Sequence, residues 1–559
     1  MEDVLEYLID GTSGLVPGGV EGKVIVVGVC SLGEVGKGYL LGKSSNLEGL
    51  LGVGPLVDRL RDLFATAGQD AVVIAVPVAG LAGGYITPVD HTGDGPMAAA
   101  SGVVGSNADV RVVIVAGGAR VVATAKVSTD GGATYGNAAA VPLDGQIAIG
   151  ATGVTLVLEE GDLIADDEYS LLIRAGIGPI TKIGNGPAVT AAGVVKVAAD
   201  VQLRIMSTGG RNVGTYQISL DGGDNWSAVK TIPVDGLIAV GTTGVIITVP
   251  AQNMTAGDSY SFEVLAPVPS VSAVLVALEV PLSLYNAEFL YIVGPSDSSD
   301  WAALQVQADT LWNLHRPTFI LCETRLPYAN ETIDDWTAAL LAERQGVALR
   351  FVSPVCAFGE ITDITGLRIT RNAAGLVAGR LLSIPVMRSI ARVRDGAVAQ
   401  LTLPSEYNES HQTELESAGY ITAKRYAGLA GTYWGKSRTL ADPTSDYQTL
   451  PVVRTVFKAV RLSRIAALKS IEDELGDPLL PEGAAGLNVL KAEIQNALNT
   501  MVNAVPSELA GHAVTIPPNQ DYVNNGVAVE EELIGIPIIG KIKLFFNYVY
   551  AGSANDPRQ

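Results

Sequence analysis

The stretch GKGYLLGKSS, residues 36–45, has the residue types of a phosphate-binding loop. It follows the apolar run KVIVVGVC (Lys23 to Cys30) and closes on Gly42, Lys43 and Ser44. A loop of that kind needs Gly, four residues, then Gly-Lys-Ser/Thr, so that successive N–H groups curl around the phosphates. The residue five before Gly42 is Lys37, and the residue five before Gly36 is Ser31. In the second register Gly38 also stands where Ser or Thr belongs. Both registers fail, and the bulky run Tyr39, Leu40, Leu41 would fill the phosphate space. FILCE (Phe319 to Glu323) imitates a Walker B strand, but a hydrophobic strand ending in Glu is common by chance. The spacing argues against an NTPase.

Other chemistry is thin. His91, His315, His411 and His512 are scattered, with no metal-ligand spacing among them or the cysteines. No G-x-S-x-G elbow occurs. Cys30, Cys322 and Cys356 lie in or beside apolar runs, which predicts inert, buried thiols rather than nucleophiles. Their odd number and wide spacing also argue against a disulfide framework and for a reducing compartment. No cofactor or metal is expected. STDGGATY (Ser128 to Tyr135) fits the Asp-box pattern of sialidase propellers, and SLDGGDNW (Ser219 to Trp226) fits it with Asn225 in place of threonine. Physically this is a hairpin in which Asp caps the turn, glycines take positive φ and the aromatic packs back. Propeller blades repeat the box every ~50 residues, so a structural role is the expectation.

These motifs sit in a chain of 559 residues, long enough for roughly three or four domains. Apolar residues make up 48%, enough for full cores, and 63 glycines imply many tight turns. A formal charge of −21 argues against sequence-independent nucleic-acid binding, which needs clustered Lys and Arg. The acidic start MEDVLEYLID is not expected to be a signal peptide. Ala71 to Val89 has the length of a membrane span but carries Pro77, Gly80, Gly83, Gly84 and Pro88, so a buried strand and loop are expected there. No membrane insertion is expected.

The chain contains an internal duplication. GPMAAASGVVGSNADV from Gly95 matches GPAVTAAGVVKVAADV from Gly186, and VPLDGQIAIGATGV matches IPVDGLIAVGTTGV. A constant offset of 91 residues separates Asp130 from Asp221, Asp144 from Asp235 and Tyr169 from Tyr260. Two ungapped copies therefore cover 95–185 and 186–276. Short Val/Ile/Leu runs between Asp-Gly and Gly-Gly turns predict tandem all-β, immunoglobulin-like sandwich domains. The flanks differ. EFLYIVG, SSDWAALQVQADTLWNLHR, PTFILCET, TIDDWTAALLAERQG and VALRFVSPV read as strand, helix, strand, helix, strand, and KVIVVGV, PLVDRLRDLFATAG and DAVVIAVPV share that character. Continuous apolar strands alternating with amphipathic helices predict an α/β core, a mixed sheet flanked by helices, here interrupted by the insert. The resulting division is an arm at 1–20, a core at 21–94, repeats at 95–185 and 186–276, a second core part at 277–540 and a strand arm at 541–559. Within the second core part, a helical stretch is expected at about 372–384, a strand pair near 420–440, and long helices at about 450–473 and 484–505.

Two features point outward. Between Asp446 and Glu472 the chain has no acid, yet carries Arg454, Lys458, Arg461, Arg464 and Lys469. At 100° per residue these fall within roughly 140° of one helix, a basic face suited to an acidic partner or a solvated surface. At the ends, Val4, Leu5, Tyr7 and Ile9 lie in a strand-like segment cut off by glycines. Ile542, Leu544, Phe546 and Tyr548 alternate on one face of KIKLFFNYVYA. A lone strand cannot satisfy its own backbone, so it must fold back or add to a neighbour's sheet.

The order of these elements resembles that of contractile tail sheath proteins of myophages and related injection systems. The residues that carry the resemblance are VIVVGVCSLGEVGKGYLLGKSSNLEGLLG, then LVDRLRDLFATAGQDAVVIAVPV, and AKRYAGLAGTYWGKSRTLADPTSDYQTLPVVRTVFKAVR. It covers roughly 20–94 and 277–550. It implies a non-enzymatic virion tail subunit, assembled in the host cytoplasm and polymerised as stacked rings around an inner tail tube through strand exchange of its arms. Further partners implied are baseplate and tail terminator proteins. The basic positions 454–469 become candidates to face the tube, and the insert an outer decoration. The alternatives are a surface-displayed adhesin or glycan-binding protein using the duplicated domains, or an NTPase.

Overall fold

The computed structural model describes residues 20–363, 366–477, 484–546 and 551. Two compact units divide the chain, residues 1–457 and 458–559. The arm positions Val4, Leu5, Tyr7, Ile9 and Tyr548 lie outside the described residues.

The first unit is built on a six-stranded sheet of β1 (Lys23–Val29), β2 (Tyr39–Leu41), β3 (Val72–Val78), β4 (Phe289–Pro295), β5 (Phe319–Glu323) and β6 (Val352–Val355). Its spatial order is β2-β3-β1-β4-β5-β6, parallel throughout except for β2, which runs antiparallel on β3. Every residue of β1 and β5 is buried, as expected for parallel strands covered on both faces. The covering helices include α1 (Pro55–Thr66), α2 (Val271–Leu284), α3 (Ser298–Asn313) and α4 (Ile333–Glu343). Pro55 opens α1, where a missing N–H costs nothing, and Asp297 and Thr332 cap α3 and α4. β1 pairs with β4, Val24 opposite Phe289 and Val27 opposite Ile292. The core is thus closed by segments on either side of the insert.

α1 also carries charges inward. Arg59 holds Glu323 through Nε and Nη2 at 2.7 and 3.0 Å, and the Tyr291 hydroxyl donates to the same carboxylate at 2.6 Å. Asp62 accepts from Arg371, both side chains buried. The helix α5 (Ala374–Leu382) follows Arg371 and packs on α1 at Gly375, where a Cβ would lie 2.8 Å from the Arg59 carbonyl oxygen. Buried charge here is paired and hydrogen-bonded, the condition under which it is tolerated.

The insert leaves after β3 and returns into α2. Leu81 and Val268 exchange backbone hydrogen bonds of 2.8 and 3.1 Å at its base. Each half has two antiparallel sheets. In the first, Asp90–Thr92, Glu168–Ala175, Ala108–Ala116, Thr124–Ser128 and Ala139–Ala140 form one sheet, and Gln146–Ala148, Val154–Leu158 and Ala98–Gly102 the other. The second repeats this order with Thr181–Ile183, Ser259–Val264, Ala199–Ser207, Thr215–Ser219 and Lys230–Thr231, and with Leu237–Ala239, Val245–Thr248 and Thr190–Gly193. Their cores correspond residue for residue. Val110, Val112, Leu156, Tyr169 and Ile173 are buried in one, and Val201, Leu203, Ile247, Tyr260 and Val264 in the other.

Strands Gly84–Ile86 and Asp90–Thr92 pair with Glu168–Ala175, so the first module starts upstream of Gly95. Likewise Thr181–Ile183 belongs to the second module rather than the first. These edge strands are short and polar, so they carry no alternation from which a boundary can be read.

The helix α6 (Leu450–Ala467) begins in the first unit and ends in the second. The second unit adds α7 (Ala485–Val502) and an antiparallel hairpin of β7 (Gly511–Thr515) and β8 (Glu530–Ile534). It has its own small core of Ala459, Ala466, Ile494, Leu498, Met501, Leu509 and Val514. Residues 541–546 take no strand.

Candidate assembly surfaces

The phosphate-loop imitation is spent within the fold. Tyr39–Leu41 is the edge strand β2, the Gly36 N–H donates to the Pro77 carbonyl at 3.0 Å, and the Gly42 N–H donates to Ser45 Oγ at 3.0 Å. Lys37 pairs with Glu34 at 3.2 Å. Ligands of open α/β sheets sit beyond the carboxyl ends of strands where the order reverses, here between β1 and β4. The base of the insert fills that crest. A Cβ on Gly294 would lie 3.0 Å from Pro269 Cδ, and one on Gly80 would meet Val29 at 2.8 Å and Pro267 at 3.3 Å. Glu323, the Walker B imitation, is locked by Arg59 and Tyr291. Burial pushes the Cys322 thiol up to about 12, and the Cys356 thiol is raised for the same reason. Among the described residues no group of three or more His, Cys, Asp or Glu could hold a metal ion, and no helix is long and apolar enough to cross a membrane.

Each Asp box closes on itself. Asp130 accepts from Ser128 Oγ at 2.7 Å, from the Thr134 N–H at 2.9 Å and from Thr134 Oγ1 at 2.5 Å. The Thr134 side chain first, then its N–H and Ser128, hold the Asp130 carboxyl down at about 2. In the second module Asn225 Nδ2 supplies the bond that Thr134 makes with its hydroxyl, at 2.7 Å from Asp221. Both box aromatics are covered by a cation, Lys126 at 4.5 Å from the Tyr135 ring centre and Arg204 at 4.5 Å from that of Trp226.

The basic helical face expected over 454–469 does not exist as one surface. Arg454 is 2% exposed and paired with Glu288, which is 1% exposed, and its Nη2 donates to the Leu381 and Ile384 carbonyls at 3.0 and 3.4 Å. The first turns of α6 run inside the core, so the angle that groups Arg454 with the others faces protein. In the second unit Lys458 pairs with Glu508 at 2.7 Å, and Lys469 pairs with Glu493 at 2.8 Å from a 3₁₀ turn beyond the helix. Arg461 is half-buried and Arg464 is exposed.

Among the described residues, the carboxy-terminal segment is the most exposed apolar stretch. Ile538, Ile539, Ile542, Leu544, Phe545 and Phe546 all face outward, Phe546 at 91%.

Sequence reasoning missed a second outward feature. Asp395 pairs with Arg392 at 2.8 Å and with Arg380 at 3.3 Å, Arg388 lies close enough to Arg380 to act on its charge, and Arg394 is next to Asp395 in the chain. The signal was present in the sequence. Between Asp363 and Glu406 the only acid is Asp395, against six arginines. They follow no helical period, being spread over a helix end and a loop.

The false phosphate loop, Glu323 and the thiols of Cys322 and Cys356 are used up inside the fold, while an apolar tail and the arginines at 392 and 394 are exposed. The chain belongs to the DUF2586 family, whose N-terminal domain matches residues 1–438 and whose C-terminal domain matches residues 446–553. A protein named as a candidate tail sheath protein of Haemophilus phage HP1 is 35% identical over 112 residues, 18% of this chain. That match spans 30% of the relative's length. Among solved structures, the sheath tail protein of Desulfitobacterium hafniense is similar over 96% of this chain and 100% of its own, at 12% identity and a TM-score of 0.41. The sheath tail protein of Listeria innocua matches 93% of this chain and 96% of its own, at 10% identity and a TM-score of 0.37. The anti-feeding prophage helical sheath in its contracted state matches 52% of this chain and 78% of its own, at 16% identity and a TM-score of 0.35.

Proposed function

We propose that the chain is the structural subunit of a contractile tail sheath. It polymerises as stacked rings around an inner tube, held by strands that its ends add to neighbouring copies. Contraction of that lattice drives the tube through a target envelope, with the energy held in the extended polymer and not drawn from nucleotide. The observation that carries this is the apolar segment 538–546, exposed and in no strand pairing among the described residues. Exposed apolar runs of this kind mark protein contacts, and an alternating one suits addition to a sheet edge. The tail sheath name of the HP1 relative supports the same reading.

In this reading Val4, Leu5, Tyr7 and Ile9 form the second arm, joined to the rest by the Gly-rich stretch 11–19. The duplicated modules are immunoglobulin-like sandwiches on the outer surface. Arg464 and Arg461 remain as tube-facing candidates, together with Lys458 and Lys469, which pair with Glu508 and Glu493. Inner tube, baseplate and terminator proteins are the partners, and the virion tail is the location.

Negative-stain microscopy of the purified chain tests this. Long tubes or stacked rings are expected. A monomer that persists at high concentration with both ends intact overturns it.

A further inference from the structure

We propose that the arginine cluster 380–394 is a contact between copies, docking onto an acidic surface of the neighbouring subunit. This rests on the sheath-polymer reading and names a second contact in it, independent of the arms.

Arg392 and Arg380 share the single carboxylate of Asp395, while Arg388 and Arg394 form no ion pair among the described residues. Arg392 and Arg394 are exposed, and Val393 between them is exposed as well. Arg380 Nε is enclosed yet has no hydrogen-bond partner. Burial lowers the Arg380 pKa, Asp395 opposes that, and Arg388 and Arg392 add to the lowering. Arg388 and Arg392 thus oppose the charge of Arg380, with the Asp395 carboxylate shared between Arg380 and Arg392, an excess of positive charge that a further set of carboxylates would relieve.

The occupant follows from charge. Each copy has a formal charge of −21 although it contains this cluster, so the rest of its surface is more acidic still. The first module alone exposes Asp144, Glu159, Glu160 and Asp162. In a lattice of acidic subunits, like charges oppose packing unless basic patches are set against acidic ones. A basic patch on one copy that meets a different, acidic patch on the next is a heterologous contact, the kind that propagates into open polymers.

The test uses full chains carrying Arg392→Lys and Arg394→Lys, which keep the charge and add reactive amines. Normal and isotope-labelled copies are mixed, polymerised and treated with a zero-length carboxyl–amine coupling reagent, and the joined peptides are read by mass spectrometry. Isotopically mixed pairs joining position 392 or 394 to an Asp or Glu of another copy are expected. In polymerised material, pairs confined to single copies, or none at all, overturn the proposal.

A second variant, Arg388→Glu with Arg392→Glu and Arg394→Glu, is expected to raise the concentration needed for polymerisation at least about tenfold, with an unchanged melting temperature. Polymerisation at the unmodified chain's concentration overturns the contact while leaving the sheath reading intact. If the unmodified chain forms no polymer by microscopy, the sheath reading itself falls and takes this contact with it.

Discussion

Arg454→Met separates a buried tether from a surface charge. The substitution keeps most of the side chain's length but takes the Arg454 guanidinium away from the buried Glu288 at the foot of β4. It also removes the donor to the Leu381 and Ile384 carbonyls. Glu288 also accepts from the Gly22 N–H at 2.8 Å. Breaking one side of a buried pair typically costs about 3–5 kcal/mol, because the remaining charge stays desolvated. That is a factor of roughly 10² to 10⁴ in the unfolding equilibrium, and a large share of the 5–15 kcal/mol typical of a folded domain. Replacing both partners, Arg454→Met with Glu288→Leu, removes the orphaned charge and is expected to recover to within about 1 kcal/mol of the parent. Urea unfolding followed by tryptophan fluorescence is the assay, since Trp312 packs 5.8 Å from Phe457, one turn beyond Arg454. A single variant that loses less than about 0.5 kcal/mol, as exposed positions usually do, refutes the burial argument. So does a double variant as unstable as the single one.

Deleting residues 541–559 is expected to abolish polymerisation while preserving the cooperative melt, checked by microscopy and calorimetry; loss of the melt would place this segment in the subunit's own fold. Gly375→Val is expected to destabilise the first unit by about 1–3 kcal/mol, because the new side chain meets the backbone of α1 at Arg59 rather than a movable side chain. Denaturant titration reads that loss. Asp130 has its folded pKa depressed to about 2 against an ordinary 3.8. Its contribution to the first module is therefore complete above about pH 4 and lost as pH falls towards 2, and Asp130→Asn should flatten that acid limb. Carbon-13 NMR of the carboxyl resonance gives the midpoint directly, and a value near 4 would contradict the hairpin geometry.

Most of the core was legible because its signals are local. A run such as KVIVVGV, short, almost wholly apolar and rich in β-branched valine, reads as a strand buried on both faces, and the constant 91-residue offset marks two equivalent modules. Arg454 was misjudged for the opposite reason. A helical projection gives the angle of a side chain but not what lies across from it, and its partner Glu288 is 166 residues away. The same limit hid the inward turn of Arg59 and Asp62, whose partners Glu323 and Arg371 come from beyond the insert. The arginine cluster was missed because reading charge along a helical period passes over residues gathered by a helix end and a loop. The edge strands GYI and DHT fell on the wrong side of a boundary because strands of three residues have no pattern to show.

The base of the insert has a practical meaning. Leu81 and Val268 are bonded neighbours, so the two modules hang from the core as a cassette whose entry and exit already touch. A short turn joining those points should close the core without spanning any gap, and a foreign domain with adjacent termini should fit in the same place. The two modules can then be exchanged for other cargo without rewriting the core sheet from which they hang.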